Sequence, residues 1–246
     1  MLSAHFRSRR GINPVMIMVT LPTYNEAQNI GDLMDDILAL RPDLQIVVID
    51  DDSPDGTHNI VRERAAQNSR LHLIHRRGRR GRGSAGIEGF QYAVKSGADL
   101  IVEMDADYSH HPRFIPAMIR RAEEGADVVI GSRLVRGGGE TGRSFLRTLI
   151  THAANFYIRL VLGLSVRDCT SGFRVFRRRA LEAISLDTLQ SNGPAIVQEV
   201  LLRCRRKGFR IVEEPILFEE RRAGTSTFNT RIMLAGLWSV LKFRFK

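Results

Sequence analysis

Hydrophobic and polar positions follow two rhythms along this chain. Short, nearly continuous apolar runs at 15–20, 45–49, 71–75, 100–104 and 127–131 read as buried strands. Between the first two, helical spacing over 27–40 places Ile30, Leu33, Met34, Ile37 and Leu38 on one face. A second helix starts from the turn residues Ser53 to Thr57 and runs to about Asn68. Strand followed by helix, repeated with short connections, predicts parallel strands joined by right-handed crossovers, an α/β fold with a mostly parallel central sheet flanked by helices. Ligands of such sheets bind outside the carboxyl ends of the strands, where the loops 22–26, 50–57 and 105–111 all lie.

The rhythm changes beyond Gly137. Three glycines, Gly137 to Gly139, read as a hinge or loop, and a long apolar segment follows at 144–166. Arg147, His152 and Arg159 interrupt it at the spacing of one helix side, which gives an amphipathic helix or helix pair, or else a buried core helix. A polar loop at 168–174, a strand over 173–176, a helix over 193–207 containing Glu199, a strand over 211–218 and a basic tail complete the order. The segment 76–89, rich in glycine and arginine, reads as a loop, either facing a phosphate or simply solvated. Its Gly81, Gly83 and Gly86 are weak evidence for a dinucleotide site, because the acid expected at the next strand's end is replaced by an Asp-x-Asp.

Composition adds limits. The 246 residues are 43% hydrophobic and 26% charged, which fits a globular chain and excludes a largely disordered one. Net charge is +10, concentrated in Arg70 to Arg82 and in the acid-free stretch from Arg221 to Lys246. Clustered cations suit nucleic acid or an anionic membrane surface, and no nucleic-acid motif accompanies them, so nucleic acid is not expected. Cys169 and Cys204 lack metal-ligand spacing and read as free thiols of a reducing compartment. Residues 1–14 carry arginines without an apolar core and read as a loose arm rather than a secretory signal. No apolar run reaches the ~18 to 20 residues of a membrane span, so membrane contact would be peripheral.

The stretch DLIVEMDADYSHHPR, from Asp99 to Arg113, carries the strongest chemical signal. A buried strand stops at Asp105 and Asp107, whose side chains face the same way and can offer oxygens to one hard cation, Mg²⁺ or Mn²⁺. Such cations usually also hold substrate phosphates. His110, His111 and Pro112 close the loop, with Pro112 where a helix would begin. A solvated acidic turn is the competing reading.

Six motifs in order then resemble the family 2 glycosyltransferases of GT-A fold, within them the dolichol- or polyprenol-phosphate mannosyltransferases. They are Pro22 to Glu26, Asp50 to Thr57, Met104 to Pro112, Gly131 to Arg133, Asp168 to Arg174, and Phe218 to Arg221. The resemblance implies a GT-A domain over 15–228, with a nucleotide-sugar half at 15–136, an acceptor half at 137–228 and a basic amphipathic helix at 229–246. It implies that Pro22, Tyr24, Glu26, Val48 and Asp50 line the nucleotide pocket and that Asp105, Ala106 and Asp107 hold the metal and diphosphate. Arg133 and Arg221 would contact phosphate at the reaction centre. Three positions depart from the pattern: Ser109 stands where some relatives have a glutamine ligand, Thr227 where a lysine is usual, and Arg82 where the Gly-Leu-Gly loop is apolar.

The implied reaction moves mannose from GDP-mannose to a dolichyl or polyprenyl phosphate, on the cytoplasmic face of a membrane. A phosphate monoester is already largely ionised at neutral pH, its second pKa being about 6, so no catalytic histidine is required. Charge on the departing diphosphate and the approach of two anions are the harder tasks, met by a metal and arginines. His110 and His111 read as loop supports. Rivals keep the fold with a UDP-sugar donor or a polysaccharide acceptor, or dispense with catalysis in a basic lipid- or nucleic-acid-binding protein. The tail, with Ile232, Leu234, Leu237, Trp238 and Leu241 amid Arg231, Lys242, Arg244 and Lys246, would lie in the interface, on the body, or on a second copy of the chain.

Overall fold

The computed structural model describes residues 15–191, 193–222 and 230–245. The expected arm at 1–14, and Ser226, Thr227, Phe228 and Asn229, lie outside the described residues, as do the side chains of Arg231, Ile232 and Leu234.

The apolar runs become strands wherever burial on both faces makes near-continuous apolarity tolerable. In chain order the elements are β1 (Ile17–Thr23), α1 (Ile30–Leu40), β2 (Leu44–Asp50), α2 (Thr57–Ala65), β3 (Leu71–His75), α3 (Arg82–Lys95) and β4 (Leu100–Glu103). There follow α4 (Ile115–Glu123), β5 (Val128–Ser132), β6 (Gly139–Glu140), α5 (Phe145–Leu162), β7 (Arg174–Arg177) and α6 (Arg178–Ala183). The chain ends with α7 (Ile196–Arg206), β8 (Ile211–Pro215), β9 (Leu217–Phe218) and α8 (Thr230–Arg244). The main sheet runs β3-β2-β1-β4-β7-β5-β8, parallel except for β7, and β6 with β9 forms a small second sheet.

Side chains alternate between the sheet's two faces. Ile17, Val19 and Leu21 of β1 join Val48 of β2 and the buried face of α1 in one cluster; Met18, Val47 and Ile49 join α3, α6 and α7 in the other. All five residues expected on the inner face of α1 are buried. The strand order reverses between β1 and β4, which opens the crevice where ligands of such sheets sit.

Three elements differ from the sequence reading. β1 continues through Pro22 and Thr23, expected in a loop, because Pro22 pairs with Ile49 and Thr23 with Asp50. The segment 76–89 is a loop only as far as Gly81, and from Arg82 it is helix α3. Its glycines permit close approach rather than flexibility: a Cβ on Gly89 would lie 2.8 Å from Ile49 Cδ1 and 3.3 Å from Thr20 Cβ. The strand expected over 211–218 parts at Ile216, whose N–H bonds to Ser132 while its carbonyl accepts from Gly139.

The segment 144–166 forms one helix, α5, capped by the Ser144 hydroxyl and closed by a left-handed Gly163. Its buried stripe is Thr151, Asn155, Ile158 and Leu162. Phe145, Leu146, Leu149, Phe156 and Leu160 face outward, so the apolar side of this helix is the one left uncovered by the protein. Helix α8 packs against α5, with the Tyr157 hydroxyl donating to the Leu237 carbonyl at 3.3 Å.

Candidate active site

Three loops leave the carboxyl ends of β1, β2 and β4, and each contains one non-glycine residue in the left-handed region: Asn25 (φ 62°), Asp52 (φ 57°) and Tyr108 (φ 63°). Such conformations persist only where the surroundings enforce them. Around Tyr108 the enforcement is visible: its hydroxyl donates to Asp36 on α1 at 2.8 Å and the Arg222 guanidinium lies over its ring.

These loops enclose a cleft of about 530 Å³ lined by Pro22, Tyr24, Glu26, Ala106 and Arg221, with Asp105 and Asp107 on its wall. Asp107 is oriented by Ser109, whose N–H and hydroxyl both donate to Oδ1, at 3.0 and 2.6 Å; Oδ2 lies 3.3 Å from Arg221 Nη2. Asp105 Oδ1 accepts from Arg82 Nε and Nη2, each at 3.3 Å. Burial alone would raise the Asp105 carboxyl, but Arg82, His110 and Arg221 outweigh it and hold it below the usual range. Burial with Asp107 and Asp105 close by pushes Glu26 the other way, up to about 7, against a bond from the Asn29 amide.

The donor set suits a hard divalent cation. Both aspartates offer oxygen ligands at the cleft wall, and Asp105 Oδ2 lies 3.7 Å from His110 Nδ1, a buried nitrogen without a hydrogen-bond partner among the described residues. His110 packs between the rings of Phe173 and Phe218, and burial lowers its pKa. His111 caps the turn before α4 by accepting from Arg113 N–H. A separate group, Asp50, His58 and His75, brings three potential ligand atoms within 4.8 Å of one another behind the β2 loop.

Two of the expected pocket residues stand back from the cleft. Val48 is fully buried in the core beneath the sheet, and Asp50, also fully buried, accepts from Thr23 Oγ1, Ser53 N–H and Ser53 Oγ at 2.9, 2.9 and 2.6 Å. Asp51 borders the cleft instead, accepting from Arg76 Nη1 and Gly81 N–H at 2.6 and 2.7 Å. The strand's register gives the reason: Asp50 is the last paired residue, opposite Thr23, and Asp51 the first beyond the ladder. Arg80 went unremarked in the sequence; its guanidinium lies 4.4 Å over the Tyr24 ring.

Arg133 follows β5 and lies against a second cavity, about 270 Å³, that adjoins the first and opens between α5 and α8. Arg82, Asp105 and Arg133 stand at its polar end, and Ile150, Ile158, Leu237 and Val240 along its apolar length. The Arg133 guanidinium is neutralised by Asp168 and Glu140, and also donates to Thr170 Oγ1 at 2.6 Å.

A mostly parallel sheet with an Asp-x-Asp at its switch point, arginines around it and a nucleotide-sized cleft defines a glycosyltransferase of GT-A architecture. The chain belongs to Glycosyl transferase family 2, whose family model matches residues 18–185. It is 38% identical over 239 residues to the undecaprenyl-phosphate mannosyltransferase of Micrococcus luteus, covering 93% of this chain and 98% of that protein. It is 38% identical over 210 residues to the polyprenol monophosphomannose synthase of Mycolicibacterium smegmatis, covering 85% of this chain and 79% of that one. Among solved structures it is similar to glucosyl-3-phosphoglycerate synthase of Mycobacterium tuberculosis, crystallised with Mn²⁺, UDP-glucose and phosphoglyceric acid. That likeness has a TM-score of 0.65 at 21% identity, covers 96% of this chain and 86% of the other, and concerns the fold.

Proposed function

We propose that this glycosyltransferase moves mannose from GDP-mannose to a polyprenyl phosphate, as a peripheral protein at the cytoplasmic face of a membrane. The observation that carries this reading is the second cavity: a charged end at Asp105, Arg82 and Arg133, and an apolar length between α8 and α5, the latter carrying exposed apolar side chains on its outer face. An acceptor with an anionic head and a hydrocarbon tail matches that polarity, whereas a free sugar or polysaccharide does not. Both mannosyltransferases named above support the choice of sugar and of prenyl phosphate. No helix among the described residues is long and apolar enough to cross a membrane, which suits attachment by exposed side chains such as Phe145, Phe156, Leu160 and Trp238.

In this reading the nucleotide enters the cleft between Tyr24, Glu26 and Asp51, with its diphosphate toward Asp105, Asp107 and Arg221. Asp105 and Asp107 would hold Mg²⁺ or Mn²⁺, which when bound supplies charge stabilisation to the departing diphosphate. Ser109 fixes the direction of Asp107, and Arg221 offsets negative charge beside it. The acceptor phosphate, ionised at neutral pH, attacks the sugar C1 from the side of the second cavity. The bond from C1 to the lipid phosphate oxygen forms as the bond to the GDP oxygen breaks, and the anomeric configuration inverts. His110, buried against two phenyl rings, takes no proton in this scheme.

The test is sugar transfer to undecaprenyl phosphate in vesicles, comparing radiolabelled GDP-mannose with UDP-glucose, each with Mg²⁺, with Mn²⁺ and with chelator. The expected result is a solvent-extractable mannosyl lipid from GDP-mannose, formed only with the cation. Transfer from UDP-glucose alone would move the enzyme to another donor. No transfer to the lipid from either donor would overturn the acceptor assignment.

A further inference from the structure

The two cavities meet at one cation. Arg82, Asp105 and Pro194 border both, so the Arg82 guanidinium stands between the place of the nucleotide diphosphate and the place of the acceptor. Its two edges are held unequally. Nη1 donates to Glu103 Oε1 at 2.8 Å, and Glu103, the last residue of β4, is 2% exposed. Nε and Nη2 both reach one oxygen of Asp105 at 3.3 Å, well beyond the ~2.7 to 2.9 Å of a strong charge-assisted bond. The Asp105 side chain is also far more open than Glu103, at 39% against 3% exposed.

The surroundings fix the arm while leaving that second edge usable. A Cβ on Gly86 would come within 3.3 Å of Nη1, and one on Gly172 within 3.3 Å of Nη2, so glycines make the space the guanidinium occupies. A buried carboxylate needs a cation, and Glu103 has it in Arg82. Asp105 is then a second, weaker partner, reached by the bidentate Nε/Nη2 edge that also fits phosphate.

We propose that Arg82 is an exchangeable counter-ion of this site. It neutralises Asp105 while no metal is bound there, and offers its Nε/Nη2 edge to a phosphate of the nucleoside diphosphate once a divalent cation takes Asp105. Glu103 is its anchor in both states. The proposal rests on the reading of Asp105 and Asp107 as the cation site. It makes Arg82 a competitor of the metal and an ally of the diphosphate, which a residue that merely fills space would not be.

The experiment is calorimetric titration of the full chain, wild type against Arg82→Met and Arg82→Lys, first with Mn²⁺ alone and then with GDP and with UDP at saturating Mn²⁺. Loss of the competing cation should tighten Mn²⁺ binding to Arg82→Met severalfold. Loss of the phosphate contact should weaken nucleoside diphosphate binding about tenfold or more. Arg82→Lys, which keeps the charge without the fork, should fall between. Because Arg82→Met removes the cation paired with the buried Glu103 carboxylate, the titrations are repeated on Arg82→Met/Glu103→Gln, in which that carboxylate is removed together with its cation. Opposite changes in the two affinities support the proposal. Changes of the same sign, or none, with a wild type that binds both ligands, overturn it alone. A wild type that binds neither Mn²⁺ nor either diphosphate overturns the cation-site reading and this proposal with it.

Discussion

The Arg133 guanidinium and the Asp168 carboxylate form a bidentate pair, with Nε 2.7 Å from Oδ2 and Nη2 2.8 Å from Oδ1. Both are buried, and Asp168 also accepts from the N–H groups of Arg133, Thr170 and Ser171, so this one carboxylate joins the end of β5 to the 168–174 loop. Removing the Asp168 charge takes away the bidentate partner of the buried Arg133 guanidinium and leaves it the longer contact to Glu140, at 3.3 Å. Asp168→Asn should therefore lose about 3 to 5 kcal/mol of stability, read as a lower thermal midpoint. Burial alone would raise the Asp168 carboxyl, but its bonds from Arg133 and Thr170 outweigh it and depress its pKa. Its contribution is thus complete above the ordinary carboxylate range and is lost as pH falls through the lowered value. The acid limb of the wild type's stability curve should flatten in Asp168→Asn; an unchanged limb would count against the pair.

Glu26 has the opposite dependence. Its pKa in the folded chain is raised from 4.5 to about 7, by burial first and by Asp107 and Asp105 in addition. The folded protein keeps a proton that the unfolded chain gives up, so stability is greatest below the lower value and erodes as pH climbs toward the higher one. Glu26→Gln removes that erosion. Urea midpoints of variant and wild type should diverge in the variant's favour between pH 5 and pH 8, whereas parallel curves would show that Glu26 ionises normally.

The outward face of α5 gives a prediction that separates membrane attachment from folding. Phe156 and Leu160 are 68% and 73% exposed, so Phe156→Glu and Leu160→Glu should shift stability by no more than about 0.5 kcal/mol. Each apolar side chain withheld from the bilayer interface forfeits about 1.5 to 3 kcal/mol, roughly tenfold or more in partitioning. Co-sedimentation with anionic vesicles should drop accordingly at unchanged thermal midpoint. Undiminished sedimentation would leave this face to some other purpose.

The strands and the site edge were legible for a shared reason: a parallel sheet buried on both faces writes continuous apolar runs, and the residues that break them fall at the ligand edge. Pro22, Tyr24, Glu26, Asp105, Ala106, Asp107 and Arg221, which the family resemblance implies for the donor site, line one cleft at that edge. The position of β7 was not legible, because its antiparallel pairing with β4 and β5 joins residues far apart in sequence, such as Arg174 with Glu103. Which of Asp50 and Asp51 borders the cleft depends on strand register, which three adjacent acids do not reveal. The Arg82 and Glu103 pair has a signal in the sequence: an acid inside an apolar strand requires a nearby cation, and Arg82 is the departure in the glycine loop.

Helix α3 shows why composition misled, and it can be tested at one atom. Its buried face includes Gly83, Ala85, Gly86 and Gly89, a run of small residues that reads as loop because glycine disfavours an isolated helix. On the sheet the same residues let the helix axis approach until Gly89 meets Ile49 and Thr20. On propensity alone, Gly89→Ala should stabilise the helix by about 0.5 to 1 kcal/mol. The added Cβ, however, would sit 2.8 Å from Ile49 Cδ1, a distance that forces either the isoleucine or the helix to move, and overpacking of this kind costs about 1 to 3 kcal/mol. Net destabilisation is therefore expected in Gly89→Ala. Ile49→Val removes the clashing methyl, so the double variant should recover part of the loss, giving a coupling of about 0.5 to 3 kcal/mol in a double-mutant cycle. Additive behaviour would place the cost in the helix itself rather than in its contact with the sheet.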